Sequence, residues 1–184
     1  MKTILHKANT RGHANHGWLN SYHTFSFAGY HESSRMNFGV LRVLNDDTVA
    51  AGMGFGKHPH DNMEIVSIPL NGDLEHNDST GRNEIIKQGD VQIMSAGSGI
   101  THSEKNANHN KEVKFLQIWV MPAKRNIESR YEQKSFPAEG RMNKLQTVVA
   151  PNNAEAVWIN QNAWFTLGNF DNGVASTYSL NKPE

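Results

Sequence analysis

The stretch Gly89-Asp90-Val91-Gln92-Ile93-Met94-Ser95-Ala96-Gly97-Ser98-Gly99-Ile100-Thr101-His102-Ser103-Glu104 shows the organisation of the whole chain in sixteen residues. The turn signal Gln88-Gly89-Asp90 precedes Val91 to Ser95, a short apolar, β-branched run that reads as a strand. Ser95 to Gly99 reads as a turn. It is no phosphate cradle, because no helical pattern follows it and no Lys occupies the Walker position. The turn delivers His102, and if the chain beyond it is extended, His102 and Glu104 share a face by strand alternation.

The same grammar recurs on both sides. Candidate strands are His23 to Ala28, Phe38 to Asn45, Val49 to Phe55, Glu64 to Leu70, Asp73 to Asn77, Glu84 to Lys87, Val91 to Ser95 and Val113 to Val120. Turn signals separate them at Asn45-Asp46-Asp47, Asn71-Gly72-Asp73 and Ser79-Thr80-Gly81. No long 3.6-period apolar pattern occurs, so the sequence predicts an all-β sandwich or barrel. A polar stretch from Met121 through Gly140, with Pro122 and Pro137, reads as a boundary. Leu145 to Ala150, Ala156 to Ile159, Trp164 to Leu167 and Val174 to Leu180 read as four further strands. A group so small cannot close a core alone, so it must pack on the first domain, pack on a partner, or open a second domain.

Charge and composition exclude several functions. The 184 residues carry 18 Lys+Arg against 18 Asp+Glu, so no net field draws the chain to nucleic acid or an anionic membrane. Lys105, Lys111, Lys114, Lys124 and Arg125 alternate with Glu104, Glu112 and Glu128 as on a mixed solvated surface. The best apolar run, Phe115 to Met121, is far short of the roughly 20 residues of a membrane span. Residues 1 to 20 lack the plan of a signal peptide, and a cytoplasmic location is expected. With no cysteine, any bound metal must be held by imidazole, carboxylate or water.

Ten histidines make imidazole the obvious donor. In Lys57-His58-Pro59-His60, a strand places His58 and His60 on one face about 6.6 Å apart along the backbone. Joined to His102 and Glu104, the pair offers three imidazoles and a carboxylate. Such a set leaves positions open on a first-row metal, as activation of dioxygen or of a chelating enolate requires. Glu64 is a rival carboxylate, about 13 Å from His60 along a straight strand, although Asp61-Asn62 can turn the chain back. His13, His16 and His23 read as hydrogen-bonded structural residues. Trp18, Phe25, Phe27, Phe115 and Trp119 read as core, one or two of them lining a flat pocket.

These residues carry a resemblance. Gly52-x5-His58-x-His60-x3-Glu64 followed by Gly72, then Gly89-x5-Ser95-Ala96-Gly97 and His102-x3-Asn106, resemble the two motifs of the cupin superfamily. Three details depart from the general pattern: seven residues separate Glu64 from Gly72, Ser95 replaces a proline, and four residues separate Gly97 from His102. The departures resemble the pirin branch, as do His58-Pro59-His60, Gly89 to Glu104, Arg11-Gly12-His13 and His23-Thr24-Phe25-Ser26-Phe27-Ala28, over roughly residues 3 to 135.

The resemblance implies a cupin, or double-stranded β-helix, barrel over residues 1–135 and an incomplete second cupin barrel over 136–184. It implies His58, His60, His102 and Glu104 as ligands of one divalent transition metal, Fe(II) foremost, with Zn, Mn, Co, Ni or Cu accepting the same donors. Glu64 would stand behind them. The activity implied is that of a quercetin 2,3-dioxygenase, acting on a flavonol-like ring and O2, with Glu104 taking the substrate proton or remaining a ligand. The alternatives are a non-enzymatic, redox-responsive protein-interaction module and an inactive truncated pirin. Sheet edges exposed by a shortened second barrel would favour a homodimer.

Overall fold

The computed structural model describes residues 4–181. Fourteen strands run in chain order: β1 Gly12–Asn15, β2 Leu19–His23, β3 Leu41–Val49, β4 Gly54–His60, β5 Glu64–Asn71, β6 Leu74–Asp78, β7 Asn83–Ile86, β8 Asp90–Ser95, β9 Ile100–Asn106, β10 Val113–Val120, β11 Arg130–Ser135, β12 Gln146–Ala150, β13 Val157–Trp158 and β14 Phe165–Leu167. A seven-stranded sheet has the order β1-β2-β3-β10-β5-β8-β11, a four-stranded sheet the order β4-β9-β6-β7, and a three-stranded sheet the order β13-β12-β14. The architecture is the all-β one that the sequence predicts, and no described helix is long and apolar enough to cross a membrane.

Strand alternation in the large sheet sets the layers. On one face Leu19, Val49, Val113 and Phe115 pack with Leu74 and Ile86 of the four-stranded sheet, and Ile65 and Met94 pack with Ile100. On the other face Val66, Ile68, Val91, Ile93, Ile118 and Val120 form one cluster with Val148, Val149, Val157 and Ile159. Because both faces are covered, β8 and the first six residues of β5 are buried throughout. Each of these Val and Ile side chains contributes about 1.5–3 kcal/mol by leaving water. Of the packing arrangements open to residues 145–167, the structure shows the first, a layer on the large sheet.

Several strands differ from the sequence expectation. The Asn45-Asp46-Asp47 turn does not form. β3 runs through it as one nine-residue strand, with Asn45 and Asp47 buried on the inner face and paired in register with His23 and Ser21 of β2. Polar residues on a strand carried the local signal of a turn because the cavity they face is absent from the local sequence. Residues 23–28 hold only the end of β2, and β1 and most of β2 precede them. The stretch expected as a boundary contains β11, which extends the large sheet by pairing with β8 from Arg130↔Ser95 to Ser135↔Asp90. Val174 to Leu180 forms no strand.

Candidate metal centre

The centre is built on β4 and β9, which pair antiparallel with His58 opposite His102 and Phe55 opposite Glu104. The register slips between Phe55 and His58. This bulge gives the strand an extra residue, so Phe55 and His58, three apart in sequence, line the same side. Gly54 meets β9 so closely that a Cβ would strike the carbonyl of Glu104 and the Cα of Lys105, which is why the strand begins with glycine there. The turn before β9 holds Gly97 at φ 51° against the Ile127 carbonyl, in a space no side chain could share.

The three imidazoles converge. One ring nitrogen from each of His58, His60 and His102 lies within 4.8 Å of the other two, and the ring centroids are 4.5 to 4.9 Å apart. His58 Nδ1 donates to the Gly56 carbonyl at 2.7 Å, which leaves Nε2 as a bare lone pair. His60 Nε2 and both ring nitrogens of His102 are buried without any hydrogen bond in the protein. Burial, then the neighbouring His58, push His60 down to about 4, while burial and the other histidines push His102 down to about 2. Both rings are neutral near pH 7. The unpartnered nitrogens of His60 and His102 are costly to bury, and with His58 beside them they fit a divalent transition metal as a common acceptor.

Glu104 lines the same chamber, but its carboxylate is not among the atoms grouped within 4.8 Å. Ser67 Oγ donates to its Oε1 at 2.9 Å and Gln117 Nε2 to its Oε2 at 2.6 Å. Complete burial is the largest influence on it and raises its pKa to about 7 despite those two donors. Behind His102 sits a second buried pair, in which His76 Nε2 is 3.0 Å from Asp78 Oδ2. The His76 ring lies between Tyr131 and His102, at 4.9 and 5.3 Å.

The chamber has a volume of about 120 Å³. Its walls include the apolar side chains of Leu19, Phe27, Phe55, Ile65 and Trp119 and the polar ones of Ser21, His23, Asn45, Asp47 and Gln117. Trp119 stands edge-on to both His60 and Phe27, at 4.9 and 5.4 Å. Beyond His60 and Trp119, which line both spaces, a wider cleft of about 600 Å³ opens between Pro59, Met63, Ser98 and Ile100.

The family model described as Pirin matches residues 5–120. The chain belongs to the pirin family. It is 54% identical over 134 residues to a quercetin 2,3-dioxygenase of Escherichia coli K12, a match that covers 73% of this chain and 58% of that protein. It is 39% identical over 173 residues to a pirin-like protein of Caulobacter vibrioides, covering 93% of this chain and 74% of the other. The crystal structure of the Escherichia coli pirin YhhW in complex with nickel(II) superposes with a TM-score of 0.80 at 47% identity, over 85% of this chain and 66% of that one. The chain thus spans about three fifths of the curated Escherichia coli pirin relative it matches.

Against that family background, the structure separates the two glutamates that the sequence left as rivals. Glu64 stands on the opposite face of β5 from Ile65, away from the chamber. Its Oε2 accepts from Ser95 Oγ at 2.8 Å and from the backbone N–H of Asn160 at 3.1 Å. It ties the large sheet to the chain beyond β13 and does not orient the imidazoles. Ser21, Asn45, Asp47, Ser67 and Gln117 were missed in the sequence. Their signal was alternation: in β2, β3, β5 and β10, polar residues occupy positions in step with the apolar ones that face inward.

Proposed function

We propose that this pirin is a metal-dependent dioxygenase in which His58, His60, His102 and Glu104 hold one divalent transition metal, Fe(II) foremost, and a flavonol-like ring is opened with O2. The observation that carries the reading is the convergence of three imidazoles, with the buried nitrogens of His60 and His102 left without partners, in a largely apolar chamber. A bound metal would supply a common site for dioxygen and a substrate oxygen. The protein's own part is to orient, exclude water and move one proton. Phe27, Phe55 and Trp119 offer flat apolar surface to an aromatic ring. Glu104, with Ser67 on one oxygen and Gln117 on the other, has lone pairs left with which it takes the substrate hydroxyl proton or remains a ligand.

The metal-holding cupin barrel in this reading is residues 1–135, and 136–184 is a partial second cupin segment, of which residues 145–167 pack on the outer face of the large sheet. Support comes from the cluster in which Val148, Val149, Val157 and Ile159 pack on β5, β8 and β10 while contributing no residue to the chamber. Oxygen uptake by the chain reconstituted anaerobically with Fe(II) tests the function. Uptake dependent on quercetin, at about one metal per chain, and lost in His58→Ala while the fold is kept, is the expected result. Metal bound without uptake would overturn the dioxygenase and favour a metal-responsive interaction module, whose partner affinity would then differ between oxidised and reduced metal.

A further inference from the structure

The wall of the chamber contributed by β2 and β3 carries polar groups that the dioxygenase reading leaves without work. His23 and Asn45 are directly opposite each other across these strands, both line the chamber, and they are 3% and 2% exposed. Ser21 donates its hydroxyl hydrogen to Asp47 Oδ1, so its oxygen is free to accept, and His23 Nε2 lies 2.8 Å from it. This chain of bonds fixes the tautomer: His23 carries its proton on Nε2 and presents Nδ1 as a bare acceptor. His23 Nδ1 makes no hydrogen bond in the protein, and neither does Asn45 Oδ1. Two buried acceptors left unpaired side by side are each costly, by about 1–3 kcal/mol, unless something donates to them.

Size narrows what that can be. An apolar cavity of about 150 Å³ takes benzene, and ligand pockets for larger molecules run from about 300 Å³ upward. At about 120 Å³ the chamber has room for at most a single ring, and the remainder of any larger ligand must lie outside it. The cleft that shares His60 and Trp119 offers that room.

We propose that His23 and Asn45 are a hydroxyl-recognition wall, accepting hydrogen bonds from one hydroxylated aromatic ring held in the chamber with the three imidazoles. The inference rests on the dioxygenase reading and specifies its substrate class: a ring that carries donor hydroxyls in addition to the oxygens a metal would bind. Ser21 and Asp47 are positioning residues, which hold the His23 tautomer.

The test compares quercetin with 3-hydroxyflavone, which keeps the metal-chelating hydroxyketone and lacks the other hydroxyls. Dissociation constants are measured without oxygen on the Ni(II)-loaded full chain, for the wild type, Asn45→Leu and His23→Phe. His23→Phe keeps a ring against Phe27 and Tyr30, and circular dichroism with metal stoichiometry checks each fold. The wild type should bind quercetin about tenfold more tightly than 3-hydroxyflavone, and each variant should lose most of that preference while binding 3-hydroxyflavone as before. A preference that persists in both variants, or none in the wild type, overturns the wall and leaves the dioxygenase standing. Failure of both flavonols to bind the metal-loaded wild type overturns the dioxygenase reading and the wall with it.

Discussion

The two faces of the seven-stranded sheet are made of the same strands and are built on opposite principles. Along β5, β8 and β10 the outer face carries Val66, Ile68, Val91, Ile93, Ile118 and Val120, an apolar layer closed by the three-stranded sheet. The inner face of the same strands carries Ser67, Gln92 and Gln117, which are in register with one another and continue the row through Asn45 to His23. One face maximises burial. The other accepts buried polar atoms without partners, including both ends of the Gln92 amide, Asn45 Oδ1 and His23 Nδ1. A row of buried polar groups crossing a sheet, several of them unmet, is a poor way to stabilise a fold and a good way to prepare a site.

The largest effect that should separate the faces is at neighbouring positions of β8. Ile93→Gln puts an unpartnered amide into the outer layer and removes a buried branched chain, so the midpoint of urea unfolding should report a loss of about 4 kcal/mol. An effect below about 1 kcal/mol would mean that the outer layer is not a core. In the four-stranded sheet that faces the inner side, His76→Ala removes the ring that backs His102 and should weaken Ni(II) binding by about 10- to 100-fold in calorimetric titration with the fold intact. Unchanged affinity would reduce the buried His76–Asp78 pair to packing.

A pH experiment sharpens the contrast further. Burial holds Glu104 at about 7, so the native metal-free protein keeps a proton there that the unfolded chain has lost above the ordinary carboxylate value of 4.5. Stability from this group is therefore lost as pH rises from 4.5 through about 7. Glu104→Gln should be more stable than the metal-free wild type at pH 8, by about 2 kcal/mol, with the gap closing by pH 4. The histidines have the opposite sign. His60 at about 4 and His102 at about 2 stay neutral in the native state while their unfolded counterparts take protons below 6.5, so their burial costs stability as pH falls below that value. The smallest effect is at Gln92. Gln92→Leu removes two unmet polar atoms and should raise stability by about 1 kcal/mol in the same urea assay.

The outer face was the easier one to read in the sequence. Glu64 to Leu70, Val91 to Ser95 and Val113 to Val120 declare themselves because their apolar residues follow local strand preferences, and the structure places β5, β8 and β10 there. The three clustered histidines and the chamber-lining Glu104 were legible for a different reason: His-x-His and His-x-Glu are short-range patterns, and alternation alone places each pair on one face. What the sequence hid were inner-face residues whose meaning depends on distant strands. Asn45 and Asp47 looked like a turn because nothing nearby reveals that Ser21 and His23 lie across from them. Glu64 could not be separated from Glu104 either, since its partners Ser95 and Asn160 lie 31 and 96 residues away. β11 was lost in a polar stretch because its pairing with β8, and not its own composition, makes it a strand.

The central claim is that the inner face of the sheet pair assembles a metal centre from β4 and β9. X-ray absorption at the nickel edge, on the chain carrying one equivalent of Ni(II), tests it most directly. The account predicts a first shell of nitrogen and oxygen with the outer-shell scattering of three imidazoles, reduced to two in His102→Ala. A shell of oxygen alone, or a spectrum that His102→Ala leaves unchanged, would contradict it.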